Sequence, residues 1–410
     1  MNKIHNSPIL DTNTELIRQR EINRLLISGK KYRHTLYNIR EIGKGILTKS
    51  EFENKHKKPR HQFCGFSTHE RHVKIVKANK GKYMYKGGAS CSAIWRCPIC
   101  SMKILKGRAK ELYSLTSAHL KHCKKNELGF LTLTIKHSRK DALKDTLEKL
   151  LQSWVKVQNQ RFFTTIKKDG HFLGQIKALE ITHTKANGWH PHLHIILFWQ
   201  DLNEHQIREN QQQIINSWCR STKGSIDAQD EKIVYNTDVS EYVTKWDSIQ
   251  ELTNDFSKNA NGMKPFQLLN NIYENKMLYD YKSLNVSNKR CKAMFAEYIE
   301  ATKGKHRIGI SRVLNALYKV ESKTDEQLTQ EIEVEDIVLS FQREVWAIIN
   351  KNHLQPHLID ICYENDQSNN PKTDSVSDIL KLLNEFDFFD TINVTTNEFN
   401  HVLIKKIPAH

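Results

Sequence analysis

Apolar positions change period several times along the chain, and each change marks an element. Leu16, Ile17, Ile22, Leu25 and Leu26 recur at helical spacing among Arg18, Arg20 and Arg24. A basic, proline-broken stretch follows at 55–60, so residues 1–60 read as a basic accessory arm with helix. Residues 61–125 hold a cysteine-rich segment closed by a helical run at 104–119. From Gly129 the pattern GFLTLTIKH is β-branched and alternating, which predicts a strand, and a helical pattern fills 141–163. Two further strands, 172–184 and 192–199, flank a turn at 185–188 and are close enough to pair as an antiparallel hairpin. A helix at 203–220, a short strand at 233–236 and a helix opening near Thr237 complete a strand–helix–strand–strand–helix–strand–helix order over 126–320. That order predicts an α+β fold with a mainly antiparallel sheet. The remainder, 321–410, reads as a helical tail: acidic helices at 321–360, a polar linker at 364–377 and a last helix at 379–389.

Charge divides the chain in the same place. The net +17 of the 410 residues resolves into +27 for residues 1–320 and −10 for residues 321–410. A surplus of that size is the footprint of a polyanion binder, because neutralising phosphates releases condensed counterions. No stretch approaches the ~18 consecutive apolar residues of a membrane span, and residues 1–10 lack an apolar signal core, so a soluble, cytoplasmic protein is expected. Eight cysteines, four of them between Cys64 and Cys100, fit a reducing compartment with one metal site better than a disulfide framework.

The most informative stretch is His190-Pro191-His192-Leu193-His194-Ile195-Ile196. Strand alternation puts His192 and His194 on one face, where two imidazoles reach a single divalent ion, and turns Leu193 into the core. The paired strand offers Glu180 between Leu179 and Ile181, and a carboxylate on an apolar strand needs a partner. Two imidazoles and a carboxylate with open positions suit Mg²⁺ or Mn²⁺ that must still hold a phosphate. Downstream, Asp238, Tyr242 and Lys245 share a face if 237–246 is helical. A phenol near pKa 10 becomes a competent nucleophile when a metal polarises the phosphate and a lysine stabilises the phenolate. Asp238-x-x-Glu241 is also a capping-box pattern, which leaves a purely structural role open for that carboxylate.

Cys97-Pro98-Ile99-Cys100 forms a knuckle, and Cys91 and Cys64 complete four thiolates for Zn²⁺. His61, His69 and His72 are alternatives to Cys64 in the same segment. Trp95, Arg96 and Lys103 beside the knuckle suit a phosphate backbone.

Taken in order, GFLTLTIKH, HPHLHIILFW and EYVTKW resemble the three motifs of HUH-class rolling-circle plasmid replication initiators of the single-tyrosine type. The likeness extends from the CxxC segment to FAEYIEATKGKHRIGIS, covering about residues 61–315. It implies an HUH endonuclease fold over 126–320, a divalent metal on His192, His194 and Glu180, and a structural zinc element at 61–125. It implies attack by Tyr242 on a phosphodiester to give a 5′-phosphotyrosyl link and a 3′-OH primer, with Lys245 as companion. It also implies a carboxylate near the tyrosine that activates water for termination; Asp238 and Glu241 both qualify, and Asp238 ranks first because it shares the tyrosine's helical face. Two positions depart from the pattern: Trp246 excludes a second tyrosine one turn on, and Ile310 stands where tryptophan is expected. The implied partner is plasmid origin DNA, single-stranded at the nick; the charge of the acidic tail separately suggests that it recruits a basic partner or a host helicase, or shields the basic body when DNA is absent. Two other readings compete. A histidine-triad nucleotide hydrolase would use the same alternation of histidines, and a zinc-containing DNA-binding regulator would use them structurally.

Overall fold

In the computed structural model, the structure describes residues 29–48, 51–52, 59–66, 68, 70–78, 81–122, 127–234, 262–274, 288–332, 334–366, 368–385, 392–396 and 402–406. The chain forms two compact units, each with its own five-stranded sheet. Residues 29–44 are helical. The first sheet combines β1 (His72–Ala78), β2 (Lys82–Lys86), β8 (Val334–Gln342), β9 (Ile392–Thr396) and β10 (Val402–Lys406) in the order β2-β1-β8-β10-β9. The second combines β3 (Glu127–Thr134), β4 (Phe172–Thr184), β5 (Gly188–Trp199), β6 (Asp230–Val234) and β7 (Ile308–Ile310) in the order β6-β3-β5-β4-β7, antiparallel throughout.

Helices alternate with the strands; after the helix at 29–44 they are, in chain order, α1 (Pro98–His122), α2 (Leu143–Gln158), α3 (Arg161–Lys168), α4 (Glu204–Thr222), α5 (Pro265–Tyr273), α6 (Asn288–Thr302), α7 (Arg312–Tyr318), α8 (Asp325–Gln330), α9 (Arg343–Lys351), α10 (Gln355–Glu364) and α11 (Pro371–Asn384). The α+β class and the antiparallel sheet expected from sequence are observed. One expected helix at 141–163 is two, because the chain leaves helical geometry at Gln160 (φ −73°, ψ 152°) before α3.

The second sheet is apolar on both faces for most of its length, as its strands read. On one face Leu131, Leu133, Leu179, Leu193, Ile195 and Leu197 are fully buried. Helix α2 presents Leu143, Leu147, Leu150, Trp154 and Val157, a stripe at the i, i+4, i+7 spacing of a core-facing helix. Helix α4 adds Ile207, Ile214 and Trp218, starts from a complete capping box between Asn203 and Gln206, and is pinned by Trp218 Nε1 donating to Thr134 O at 2.7 Å. Each of these large side chains contributes about 1.5–3 kcal/mol by leaving water.

The other face changes character along its length. At one end Leu128, Phe130, Ile176, Ile196 and Phe198 pack with Leu112 and Leu115 of α1 and Leu314 of α7. At the other end the same face carries Thr132, Thr134, Glu180, His192 and His194, as the register across β3, β5 and β4 requires. Ile310 sits on the edge strand opposite Ile176, against the apolar half.

Residues 334–342, expected within acidic helices, form strand β8. The glutamates and aspartate at its start mask an apolar segment, Ile337-Val338-Leu339-Ser340-Phe341, whose burial comes from β1 and β10, and pairing so distant in sequence leaves no local signal. Pro371–Ser377, expected in a polar linker, is the first half of α11. The core of this unit joins Val73, Ile75 and Tyr83 to Leu339, Phe341, Trp346, Ile349, Leu358, Ile379 and Ile404. Removing residues 330–410 is therefore expected to expose Val73 and Ile75. Protease cleavage within 72–86 and increased binding of a hydrophobic dye would report it, whereas a protease-resistant 72–86 would contradict it.

Candidate metal centre

The strand histidines meet their expected partner. Nε2 of His192 and Nε2 of His194 each lie 2.9 Å from the same oxygen, Oε2 of Glu180. The three residues are partly exposed, with side-chain exposures of 12, 18 and 26% in the order His192, His194, Glu180. The site is thus largely withdrawn from water, which lowers the local dielectric, yet stays in contact with solvent. Burial alone would raise the Glu180 carboxyl; the hydrogen bonds from both imidazoles, with their charge, outweigh it and hold the group well below the usual carboxylate range. An ionised carboxylate and two imidazole nitrogens converging on one point form a donor set that could hold a divalent cation, and all three ligand atoms lie within 4.8 Å of one another.

The supporting groups were not evident from the sequence. Thr132 Oγ1 lies 3.2 Å from His194 Nδ1, directly across the β3–β5 ladder, so it orients the ring with Nε2 toward Glu180. Phe130 stacks on the same imidazole at 5.7 Å between centroids and an interplanar angle of 28°. The available signal was register: pairing GFLTLTIKH against HLHIILFW with Thr134 opposite His192 brings Thr132 opposite His194. Thr132→Val keeps the shape and removes the hydroxyl, so a loss of about tenfold or more in Mn²⁺ affinity is expected by isothermal titration. Unchanged affinity would mean that Phe130 alone fixes the ring.

His190 continues the row, with Nδ1 at 3.4 Å from Nε2 of His137, whose own Nδ1 lies 3.0 Å from Ile135 O. Burial, then the neighbouring His192 and His137, push the His190 imidazole down to about 4, so it is neutral at physiological pH.

The cysteines also converge. Cys64, Cys91, Cys97 and Cys100 are all buried and their sulfurs lie within 4.8 Å of one another. The Cys91 and Cys100 sulfurs are 3.7 Å apart, near the edge of about 3.8 Å that Zn–S bonds of ~2.3 Å give in a tetrahedron. Cys97 closes a turn through its N–H to Ala93 O at 2.9 Å, and its own carbonyl accepts the Ser101 N–H at 2.8 Å as α1 begins. Pro98 at the first helical position needs no N–H partner, so Cys97 and Cys100 present their sulfurs from one turn. These four residues could hold a zinc ion with no position left for chemistry.

The neighbours of the knuckle are not arranged as expected. Trp95 and Arg96 are buried: Trp95 donates to Lys305 O at 2.7 Å, and Arg96 bonds Glu51 at 2.6 Å and the carbonyl of Ile46. Lys103 donates to Thr329 O at 3.2 Å. A buried guanidinium requires a carboxylate, and Glu51, far upstream, supplies it.

Asp238, Glu241, Tyr242 and Lys245 lie outside the described residues. The chain that carries them leaves β6 after Val234 and returns at Met263, which bridges to His183 at the end of β4. Both anchors belong to the sheet that bears Glu180, His192 and His194.

An antiparallel sheet flanked by helices, with two strand histidines separated by one apolar residue and facing a carboxylate, defines the HUH class of α+β folds. The chain belongs to the Replication protein family, whose sequence model matches residues 84–353. Among curated relatives, a "Protein rep" of Streptomyces lividans is 30% identical across 30% of this chain and 33% of its own length. Another, of Lentilactobacillus hilgardii, is 28% identical across 25% and 31%, and one of Staphylococcus aureus is 27% identical across 30% and 47%. The matched segments thus span 31–47% of the length of these relatives. No solved structure matches the chain. Among the described residues no helix is long and apolar enough to cross a membrane.

Proposed function

We propose that the protein is a plasmid rolling-circle replication initiator that acts in the cytoplasm, binds the plasmid origin and nicks one strand. The observation that carries this reading is the convergence of His192 and His194 on one oxygen of Glu180, at 2.9 Å each. Family membership and the +27 charge of residues 1–320 support it.

Glu180, His192 and His194 would hold Mg²⁺ or Mn²⁺, which when bound polarises a phosphoryl oxygen and offsets charge developing at phosphorus. Thr132 keeps the His194 ring turned toward the site. The Tyr242 oxygen attacks the scissile phosphorus as the bond to the 3′ oxygen breaks; the phenolic proton is given up and the leaving oxygen gains one. The products are a 5′-phosphotyrosyl link and a free 3′-OH that primes synthesis. Lys245, three residues on, lowers the cost of the phenolate. Asp238, or in its place Glu241, activates the water that ends the cycle. Cys64, Cys91, Cys97 and Cys100 would bind structural Zn²⁺. Origin DNA, single-stranded at the nick, is the substrate, and a host helicase is the partner proposed to follow.

The test is incubation with a labelled single-stranded origin oligonucleotide and Mn²⁺, followed by denaturing electrophoresis. A covalent adduct in the wild type that disappears in Tyr242→Phe supports the proposal. No adduct in the wild type, or an adduct retained by Tyr242→Phe, overturns it. A histidine-triad hydrolase would instead phosphorylate histidine, and a zinc-containing regulator would show only salt-sensitive binding.

A further inference from the structure

The sheet built from β1, β2, β8, β9 and β10 has one side committed to its helices through Val73, Ile75, Leu339, Phe341 and Ile404. Strand alternation sends the intervening residues to the other side. There the register sets Lys74 directly opposite Lys86 on one flank and opposite Ser340 on the other, with His72 opposite Gln342. Leu403 pairs with Ser340, so Lys405, two residues on, joins the same side beside Gln342 and His72. Arg71 precedes the strand and is exposed. Five basic residues from three strands and a loop therefore gather around a floor of Ser340, Gln342 and Leu403.

This arrangement is costly in the isolated protein. Like charges directly opposite on adjacent strands destabilise a sheet, and of these lysines Lys74 carries a carboxylate partner, Glu70 at 3.0 Å. Burial, followed by Arg71, Lys74 and Lys405, lowers the His72 imidazole, as expected where the cations sense one another. A polyanion relieves the repulsion. Several cations spread over a sheet face, with Glu70 on Lys74 as their carboxylate neighbour, suit a phosphate backbone better than a base edge.

We infer that the outer side of the β1–β8–β10 sheet, through Arg71, Lys74, Lys86 and Lys405, is a second DNA-binding surface that holds the phosphate backbone of duplex DNA. The metal strand and Tyr242 belong to the other sheet's unit and to the segment that follows it, so this surface grips DNA without cutting it. The inference rests on the initiator reading only in taking DNA as the polyanion.

Two variants of the full chain test it. For Lys74→Ala/Lys86→Ala/Lys405→Ala, binding to a short mixed-sequence duplex is measured against salt concentration. The slope of log affinity against log salt is expected to become shallower by about 0.9 for each phosphate that the variant no longer neutralises, hence by about 2 to 3. Adduct formation on a single-stranded oligonucleotide with Mn²⁺ should stay at the wild-type level. Lys86→Glu creates an opposite-charge pair with Lys74, so its melting temperature should hold or rise while duplex affinity falls, a combination that mere unfolding cannot give. An unchanged salt slope overturns the inference. So does a parallel fall in single-strand adduct, or abolished binding to phosphatidylserine vesicles with duplex binding intact. If the wild type itself forms no adduct, the nicking reading fails and the salt slope still judges this surface.

Discussion

His192→Ala combined with His194→Ala is expected to remove divalent-metal binding and to lower nicking of a single-stranded oligonucleotide by about three orders of magnitude or more. The magnitude follows from the several kcal/mol of charge stabilisation that a metal supplies to phosphoryl transfer, at about 1.4 kcal/mol for each factor of ten. The damage would not stop at two ligands. Glu180 is held ionised by the two imidazole hydrogen bonds, and with both gone only burial acts on it, which raises the carboxyl and makes it a poorer ligand. The fold should survive, because Leu193, Ile195 and Leu197 on the opposite face carry the burial that places this strand. Isothermal titration with Mn²⁺ and the nicking rate are the paired readouts. Retained nicking without metal binding would move the metal from the reaction to a structural role.

Cys97→Ser combined with Cys100→Ser is expected to act on the fold instead. Each sulfur is buried, and α1 begins at the knuckle, so the binding energy of a zinc ion held there would be folding energy. Structural zinc is worth about 10–16 kcal/mol in small zinc domains, as large as a typical domain's whole stability of roughly 5–15 kcal/mol. Zinc measured by elemental analysis should fall from about one equivalent to none, with a marked drop in melting temperature and proteolysis around residues 91–100. A double variant that melts like the wild type would show that the four thiols pack as a core without metal.

A smaller effect follows from Asp366, which joins Lys77 at 2.7 Å to the Tyr83 hydroxyl at 2.6 Å. Burial opposes its ionisation, but these partners hold its carboxyl below the ordinary value. A depressed folded-state value contributes stability at pH above the unfolded carboxyl's own range and loses it as the pH falls through the folded value. Acid melting should therefore shift in Asp366→Asn at pH below 5 less than at pH 7.

What the sequence revealed and what it hid divide along the range of the interactions. The HPHLHIILFW strand, its partner with Glu180, the helix capped by Asn203 and the CPxC knuckle are local patterns, and each stands where its periodicity put it. Thr132 and Phe130 became visible only through the β3–β5 register. Arg96 has the residue type and place of a phosphate ligand, but Glu51, distant in sequence, takes its guanidinium. Strand β8, within 321–360, carries little local signal. Its partners lie some 260 residues upstream and 60 downstream, and its leading acids gave the segment a helical, solvated look. The acidic C-terminal stretch is thus partly sheet, and it contributes Lys405 to a basic surface despite its net −10 charge.

The central claim is that a tyrosine acts beside a metal held by strand histidines. Its most direct measurement is mass-spectrometric mapping of the peptide linked to a cleaved, labelled oligonucleotide after reaction with Mn²⁺. The account predicts that the 5′-phosphate is attached to Tyr242, within the peptide that also contains Lys245 at its end. Attachment to His190, His192 or His194, or to any other residue, would contradict it.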